Sequence, residues 1–292
     1  MNARACQSAF LLTLSLSMLV AALFSLSACG TTNATTQTVS SSTGMLTNER
    51  IAEIIASPDR SAADRNRDVS RKPQQVLAFI GIRPGMVALD LSAGGGYTTE
   101  LLARAVGPAG RVFGQSAPPA TDGLQRQSAV PEGGSAASPQ PTARPSSPQA
   151  LAERAKNSGL ANLIPAVQTF ENPIPPDVSS GGLDLVTLMF NYHDFGHMGV
   201  DRARMNAAVF AALKSGGHYV IADHAGRPGT GISESGTLHR IEESFLRQEV
   251  EAAGFKLVAQ GDFLRNLLDP HDKNRPEPPM PKDDFILKFV KP

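Results

Sequence analysis

One short turn constrains this chain more than any other feature. Met86 to Leu91 is an apolar run ending in Asp90-Leu91, and Ser92-Ala93-Gly94-Gly95-Gly96 follows it. From Tyr97 to Val106, Leu101, Leu102 and Ala105 recur on one helical face. A strand that turns within a few residues into a helix needs glycine where the backbone bends tightly or approaches a ligand. The first N–H groups of that helix are unpaired and carry partial positive charge, which suits a nucleotide-type ligand over the turn.

The rest of the chain repeats the pattern. Upstream, Ile51, Ile54 and Ile55 share a helical face that Asn48 is placed to cap, and Val76, Leu77 and Ile80 make a second short helix. Between them lies a charged stretch with Arg60, Asp64, Arg71 and Lys72, read as a solvated face with a lid as the alternative. Downstream, strands are predicted at Arg111 to Gln115, Ile164 to Thr169, Leu183 to Phe190, His218 to Ala222, Phe255 to Gln260 and Phe285 to Val290. Helices are predicted from Pro148 to near Gly159, from Ala203 to Leu213 and from Leu238 to Ala253. Strands alternating with helices imply a Rossmann-like α/β fold, a seven-stranded mostly parallel sheet with helices on both faces. No helix separates the last two strands, so the last strand is expected to be antiparallel. Residues from about 116 to 147 are rich in Pro, Ser, Ala, Gln and Gly and lack periodic apolar positions, so they read as a disordered insertion.

Three chemistries compete for the turn. A dinucleotide site wants Gly-x-Gly-x-x-Gly; Gly94 and Gly96 fit, but Thr99 holds the third place. The acidic residue usual at the end of the second strand is also missing, and Gln115 stands there. A Walker loop needs Gly-Lys-Ser/Thr, which the turn lacks. The third pattern is an acidic residue followed by small residues at alternate positions, met by Asp90, Ser92, Gly94 and Gly96 with Ser in place of the first glycine.

With those flanks, the chain resembles the class I S-adenosylmethionine (SAM) methyltransferases. It is similar to a group of predicted bacterial methyltransferases in the run Asp90 to Glu100, in Asn191-Tyr192-His193-Asp194 and in the ending Phe285 to Val290. The resemblance covers Thr47 to Pro292 apart from the insertion. It implies SAM as cofactor, its methionine moiety lying over the turn, with contacts from Asp90, Ser92, Ala93, Gly94, Gly96 and Tyr97 and from Asn191 and Tyr192. It also implies ribose contact at Gln115, where an amide accepts one hydrogen bond and donates another.

The loop Asn191 to His197 follows the fourth strand, on the side where open α/β sheets bind ligands. His193 and Asp194 are the candidate catalytic pair, placed to act as general base on an acceptor hydroxyl or amine. Asp223-His224 follows the fifth strand and reads as strand-end capping, while His239 and Arg240 open the predicted long helix near the same rim. A metal site from His193, Asp194, His197 and His224 is the alternative, but His-Asp-x-x-His is not the zincin pattern, and no metal is expected.

The first residues belong to another function. Arg4 precedes an apolar run from Phe10 to Leu26, too short and Ser-rich for a membrane span but suited to a signal peptide. The run ends in Leu26-Ser27-Ala28-Cys29-Gly30, which resembles the bacterial lipobox. That resemblance implies cleavage after residue 28, a lipid on Cys29, a flexible tether from 29 to 46, and an anchor at the outer membrane facing the periplasm. Cys6 is the other of the 2 cysteines and falls inside the leader, so the mature chain has no disulfide.

Lys and Arg number 27, as do Asp and Glu, so no strong field draws nucleic acid, and Trp is absent. The expected partners are a small-molecule substrate and, through Cys29, the membrane. The leading reading is a SAM-dependent methyltransferase acting on a small molecule or envelope component. SAM is made in the cytoplasm, so a non-catalytic envelope lipoprotein keeping the fold as a binding module is the alternative.

Overall fold

The computed structural model describes residues 44–119, 145–178 and 180–292. The expected leader, Cys29 and most of the expected insertion lie outside the described residues. Among the described residues no helix is long and apolar enough to cross a membrane. The folded part reaches back to Leu46, whose N–H donates to the Ile82 carbonyl at 3.4 Å.

Helix α1 (Asn48–Ala56) is capped by Thr47, not Asn48; the Thr47 hydroxyl accepts from the Arg50 N–H. Its Ile51 and Ile54 are buried. The charged stretch then forms a helix of its own, α2 (Ala62–Arg71), capped by Ser61, and its one buried residue is Asp64. Pro73 opens α3 (Pro73–Ile80), where its missing N–H costs nothing. Next come β1 (Val87–Leu91), α4 (Tyr97–Val106) and β2 (Arg111–Ser116). After the insertion the chain runs α5 (Ser147–Asn157), β3 (Leu163–Val167), β4 (Leu183–Met189), the single turn α6 (Asp194–His197), α7 (Arg202–Ala212) and β5 (Leu213–His224). It ends with α8 (Glu243–Ala252), β6 (Lys256–Gly261) and β7 (Asp284–Val290).

The sheet has the order β3-β2-β1-β4-β5-β7-β6, and β7 is antiparallel to both its neighbours as expected. Alternate residues of each strand feed the two faces. Leu89, Leu91, Tyr219, Ile221, Phe285 and Leu287 pack with α7 and α8. Ala88, Leu185, Val220 and Ile286 pack with α1, α3, α4 and α5 on the other face. Burial on both sides is why the central strands read as continuous apolar runs. Each fully buried Leu or Ile contributes roughly 1.5–3 kcal/mol.

The strand order reverses between β1 and β4. Beyond the carboxyl ends of these two strands lies the crevice of a doubly wound sheet. Topology thus brings the glycine turn and the Asn191–Asp194 loop to one place.

Two further sequence expectations are corrected. The helix predicted from Leu238 begins only at Glu243. Ile241 does not extend its apolar face; it bridges Ala225 in parallel, its N–H donating to the His224 carbonyl at 3.0 Å. The charged stretch is not a solvated face either, because Arg60 and Asp64 are 4% and 2% exposed.

Candidate active site

The turn after β1 is left-handed at alternate residues: Ser92 has φ 55, Gly94 φ 54 and Gly96 φ 80. That backbone explains the small residues at these positions, and Ser92 adopts it at some cost. A Cβ on Gly94 or Gly95 would meet nothing within 4 Å, so this side of the turn is open. A Cβ on Gly96 would lie 2.6 Å from Leu151 Cδ1 and 2.8 Å from Arg154 Cδ. Gly96 is therefore where α5 rests on the turn, and Gly94 and Gly95 face outward. Ala93 and Tyr97 are half-buried beside them.

Asp90 braces the turn from within. Its two oxygens accept from Thr99 at 2.6 Å and Thr187 at 2.8 Å, joining β1 to α4 and β4. Burial pushes its pKa up to about 6, against the pull of these hydrogen bonds. Its carboxylate is occupied by the protein, not offered to a cofactor.

Gln115 is likewise occupied. It is fully buried; its Oε1 accepts from the Ser92 N–H at 2.9 Å and its Nε2 donates to the Gln168 carbonyl at 2.7 Å. The side chain expected at the ribose instead ties the turn to the loop after β3. Tyr192 is also placed away from the crevice. It is fully buried toward α7 and α8, donating to Glu249 and accepting from Asn206, both at 2.9 Å.

The charged residues of α2 close over the turn from the other side. Arg60 pairs with Asp68 through two hydrogen bonds of 2.8 Å, and Tyr97 donates to Asp68 at 2.7 Å. Arg154 of α5 joins Asp64 at 2.6 Å, and it also donates to Glu100 and to the Gly95 carbonyl. The Arg71 guanidinium lies 3.7 Å over the ring of Phe190, a residue held at φ 65 at the end of β4. Lys72 donates to the Phe263 carbonyl at 2.5 Å.

The polar rim forms at the ends of β4 and β5. Asp223, fully buried, accepts from the His193 N–H at 2.7 Å and meets His193 Nδ1 at 2.6 Å. The other ring nitrogen, Nε2, lies 3.1 Å from Asp194 Oδ1. The same Asp194 oxygen meets His239 Nδ1 at 2.9 Å, and Asn191 donates weakly to its other oxygen at 3.4 Å. Burial favours the neutral imidazole of His193, but the flanking carboxylates of Asp223 and Asp194 outweigh it and push the pKa up to about 10. Burial raises Asp194 too, but hydrogen bonds from His193 and His239 hold it at about 2.

His239 is the residue the sequence underrated. It stands in the segment before α8 at φ 51, edge-on to both His193 and His197. Arg240 fixes that segment: fully buried, it donates to the Ala225 carbonyl at 2.9 Å and pairs with Asp269 at 2.8 Å. Arg240 is thus a staple and is not placed to bind a substrate. His224 pairs with Asp284 at 2.6 Å behind the rim. Asp223, read as a strand cap, proves to be the anchor of His193.

The chain is similar in fold to solved structures described as methyltransferases. One is a SAM-dependent methyltransferase from Aquifex aeolicus, 16% identical, with TM-score 0.52 over 85% of this chain and 100% of that one. A second belongs to the complex of the Haloferax volcanii methyltransferase activator Trm112 with a candidate methyltransferase, 17% identical, TM-score 0.52, covering 85% and 99%. A third is a candidate sarcosine dimethylglycine methyltransferase from Galdieria sulphuraria, 14% identical, TM-score 0.52, covering 85% and 92%. No family model and no curated protein matches the chain. At these identities the likeness carries the fold alone, a class I methyltransferase fold.

Proposed function

We propose that this protein is a SAM-dependent methyltransferase acting on a small molecule. The observation that carries the reading is the open outer side of the turn at Gly94 and Gly95, next to the N-terminus of α4, where Gly96 supplies no side-chain cap, and across the crevice from the rim. Methyl transfer is a displacement, so holding the acceptor in line with the sulfonium accounts for much of the rate. His193 and Asp194 are the proposed catalytic pair. Asp194 supplies an ionised carboxylate for an acceptor hydroxyl or amine, and His193, clamped by Asp223, fixes that carboxylate in place. Ser92, Ala93, Gly94, Gly95 and Tyr97 form the proposed cofactor face, with Asn191 at its edge and Gly96 packed beneath α5.

A crystal structure with S-adenosylhomocysteine tests the reading. Density for the ligand over Gly94 and Gly95, with its sulfur toward Asp194, supports it. Density elsewhere, or none in a soaked and well-ordered crystal, overturns it.

One observation favours the second reading, a non-catalytic binding module. Gln115 spends both its polar ends on the protein, so the usual grip on the ribose at the end of β2 is not supplied by that side chain. We also propose export as a lipoprotein, supported by the lipobox run at Cys29. Palmitate labelling that disappears in C29A supports it; no label on wild type refutes it.

A further inference from the structure

The geometry points to a divalent transition-metal site on the rim, held by His193 Nε2, Asp194 Oδ1 and His239 Nδ1. These atoms come from two separate segments, the loop after β4 and the segment before α8, and all lie within 4.8 Å of one another. Asp194 Oδ1 is 3.1 Å from His193 Nε2 and 2.9 Å from His239 Nδ1. Donors about 2.1 Å from a metal lie about 3.0 Å apart at right angles and about 3.4 Å apart in a tetrahedron. The two separations from Asp194 Oδ1 match adjacent corners of an octahedron, and two imidazoles with one carboxylate leave positions open for other ligands.

The surroundings have the form a metal-bound imidazole needs. The far nitrogen of His193 rests on Asp223 at 2.6 Å, and the same carboxylate holds the His193 N–H at 2.7 Å. A carboxylate behind the ligating histidine fixes its tautomer and its orientation. His239 is held in the left-handed region at φ 51, a conformation a non-glycine residue keeps only where surrounding structure imposes it. His193 and Asp194 are buried, while the His239 side chain is one-third exposed, so the site has a dry floor and a solvent side. His197 stands next to His239 with its own Nδ1 against Ser235 at 3.0 Å, able to replace a water on that side. The class of metal is that of ferrous iron or zinc, which imidazole and carboxylate suit. The site does not depend on SAM binding.

The test is a calorimetric titration of the chelator-stripped full chain with zinc and, without air, ferrous ion. Wild type is expected to take one equivalent of at least one of these ions. H239A is expected to lower that affinity by about tenfold or more, and D223N by about 10- to 100-fold as an outer partner. H271A, which removes a histidine–carboxylate pair away from the rim, is expected to change nothing. His239 is partly exposed, so its variant should fold; the melting curve of each protein confirms this. No stoichiometric binding of either ion, or binding untouched by H239A, overturns the inference. S-adenosylhomocysteine titrated into the same samples separates the two claims, since either can fail with the other intact.

Discussion

Gln115 accepts a hydrogen bond from the backbone N–H of Ser92 at 2.9 Å, so the end of β2 holds the turn after β1 in shape. The other end of the amide donates to the Gln168 carbonyl. Q115E would set a charge in a fully buried site and leave the Gln168 carbonyl facing an acceptor. The expected loss is about 1–3 kcal/mol of stability with no gain in S-adenosylhomocysteine affinity. Chemical unfolding and calorimetry measure both. A tighter complex in Q115E would show that the side chain faces the ribose.

Gly95 and Gly96 should separate binding from folding. In G95A the new Cβ meets no protein atom within 4 Å. Its melting temperature is expected to stay at the wild-type value while cofactor affinity falls. In G96A the Cβ collides with Leu151 and Arg154 at φ 80. Left-handed strain and overpacking together are expected to cost about 2–4 kcal/mol. Equal stability of the two variants would contradict this division of the turn.

Asp90 predicts a pH dependence of known sign. Its pKa rises from 3.8 to about 6 on folding, so the native state binds this proton more tightly than the unfolded chain. Stability from this group is therefore present below the unfolded value and lost as pH rises through the folded one. At about 1.4 kcal/mol per pH decade the loss is on the order of 3 kcal/mol. Urea unfolding of wild type and D90N across that interval reads it: the difference between them should shift toward D90N as pH rises. A difference independent of pH contradicts it.

Arg154 joins α5 to α2 and to the turn through Asp64, Glu100 and the Gly95 carbonyl. R154A leaves the Asp64 carboxylate, 3% exposed, without its main partner. The expected destabilisation is about 3–5 kcal/mol, measured by urea unfolding. A loss below 1 kcal/mol, within the usual range of surface changes, would show that the network is dispensable.

The sequence made the sheet legible because its central strands are buried on both faces. Runs such as Leu183 to Phe190 therefore stand out against flanking glycines and polar residues. The antiparallel β7 followed from the missing helix before it. Helix α2 was missed for the converse reason: it is held by Asp64 and its neighbours through ion pairs, and leaves no apolar period to read. His239 was placed on a helix because Leu238 and Ile241 fall in phase with Leu246 and Val250, whereas Ile241 pairs beside Ala225. Within the candidate site, the position of the turn and of His193 and Asp194 beyond the strand ends was legible from the sequence. The Asp223 clamp on His193, the inward turn of Tyr192 and the occupied amide of Gln115 were not, since each depends on which way a side chain faces across separate strands.

Cofactor binding at the turn is tested most directly by calorimetric titration of S-adenosylhomocysteine into the full chain and into G95A, with a thermal melt of each as the control for folding. One saturable site is expected in wild type, with an affinity lower by about tenfold, near 1.4 kcal/mol, in an equally stable G95A. A wild-type protein that melts cooperatively and gives no heat with the ligand would contradict it.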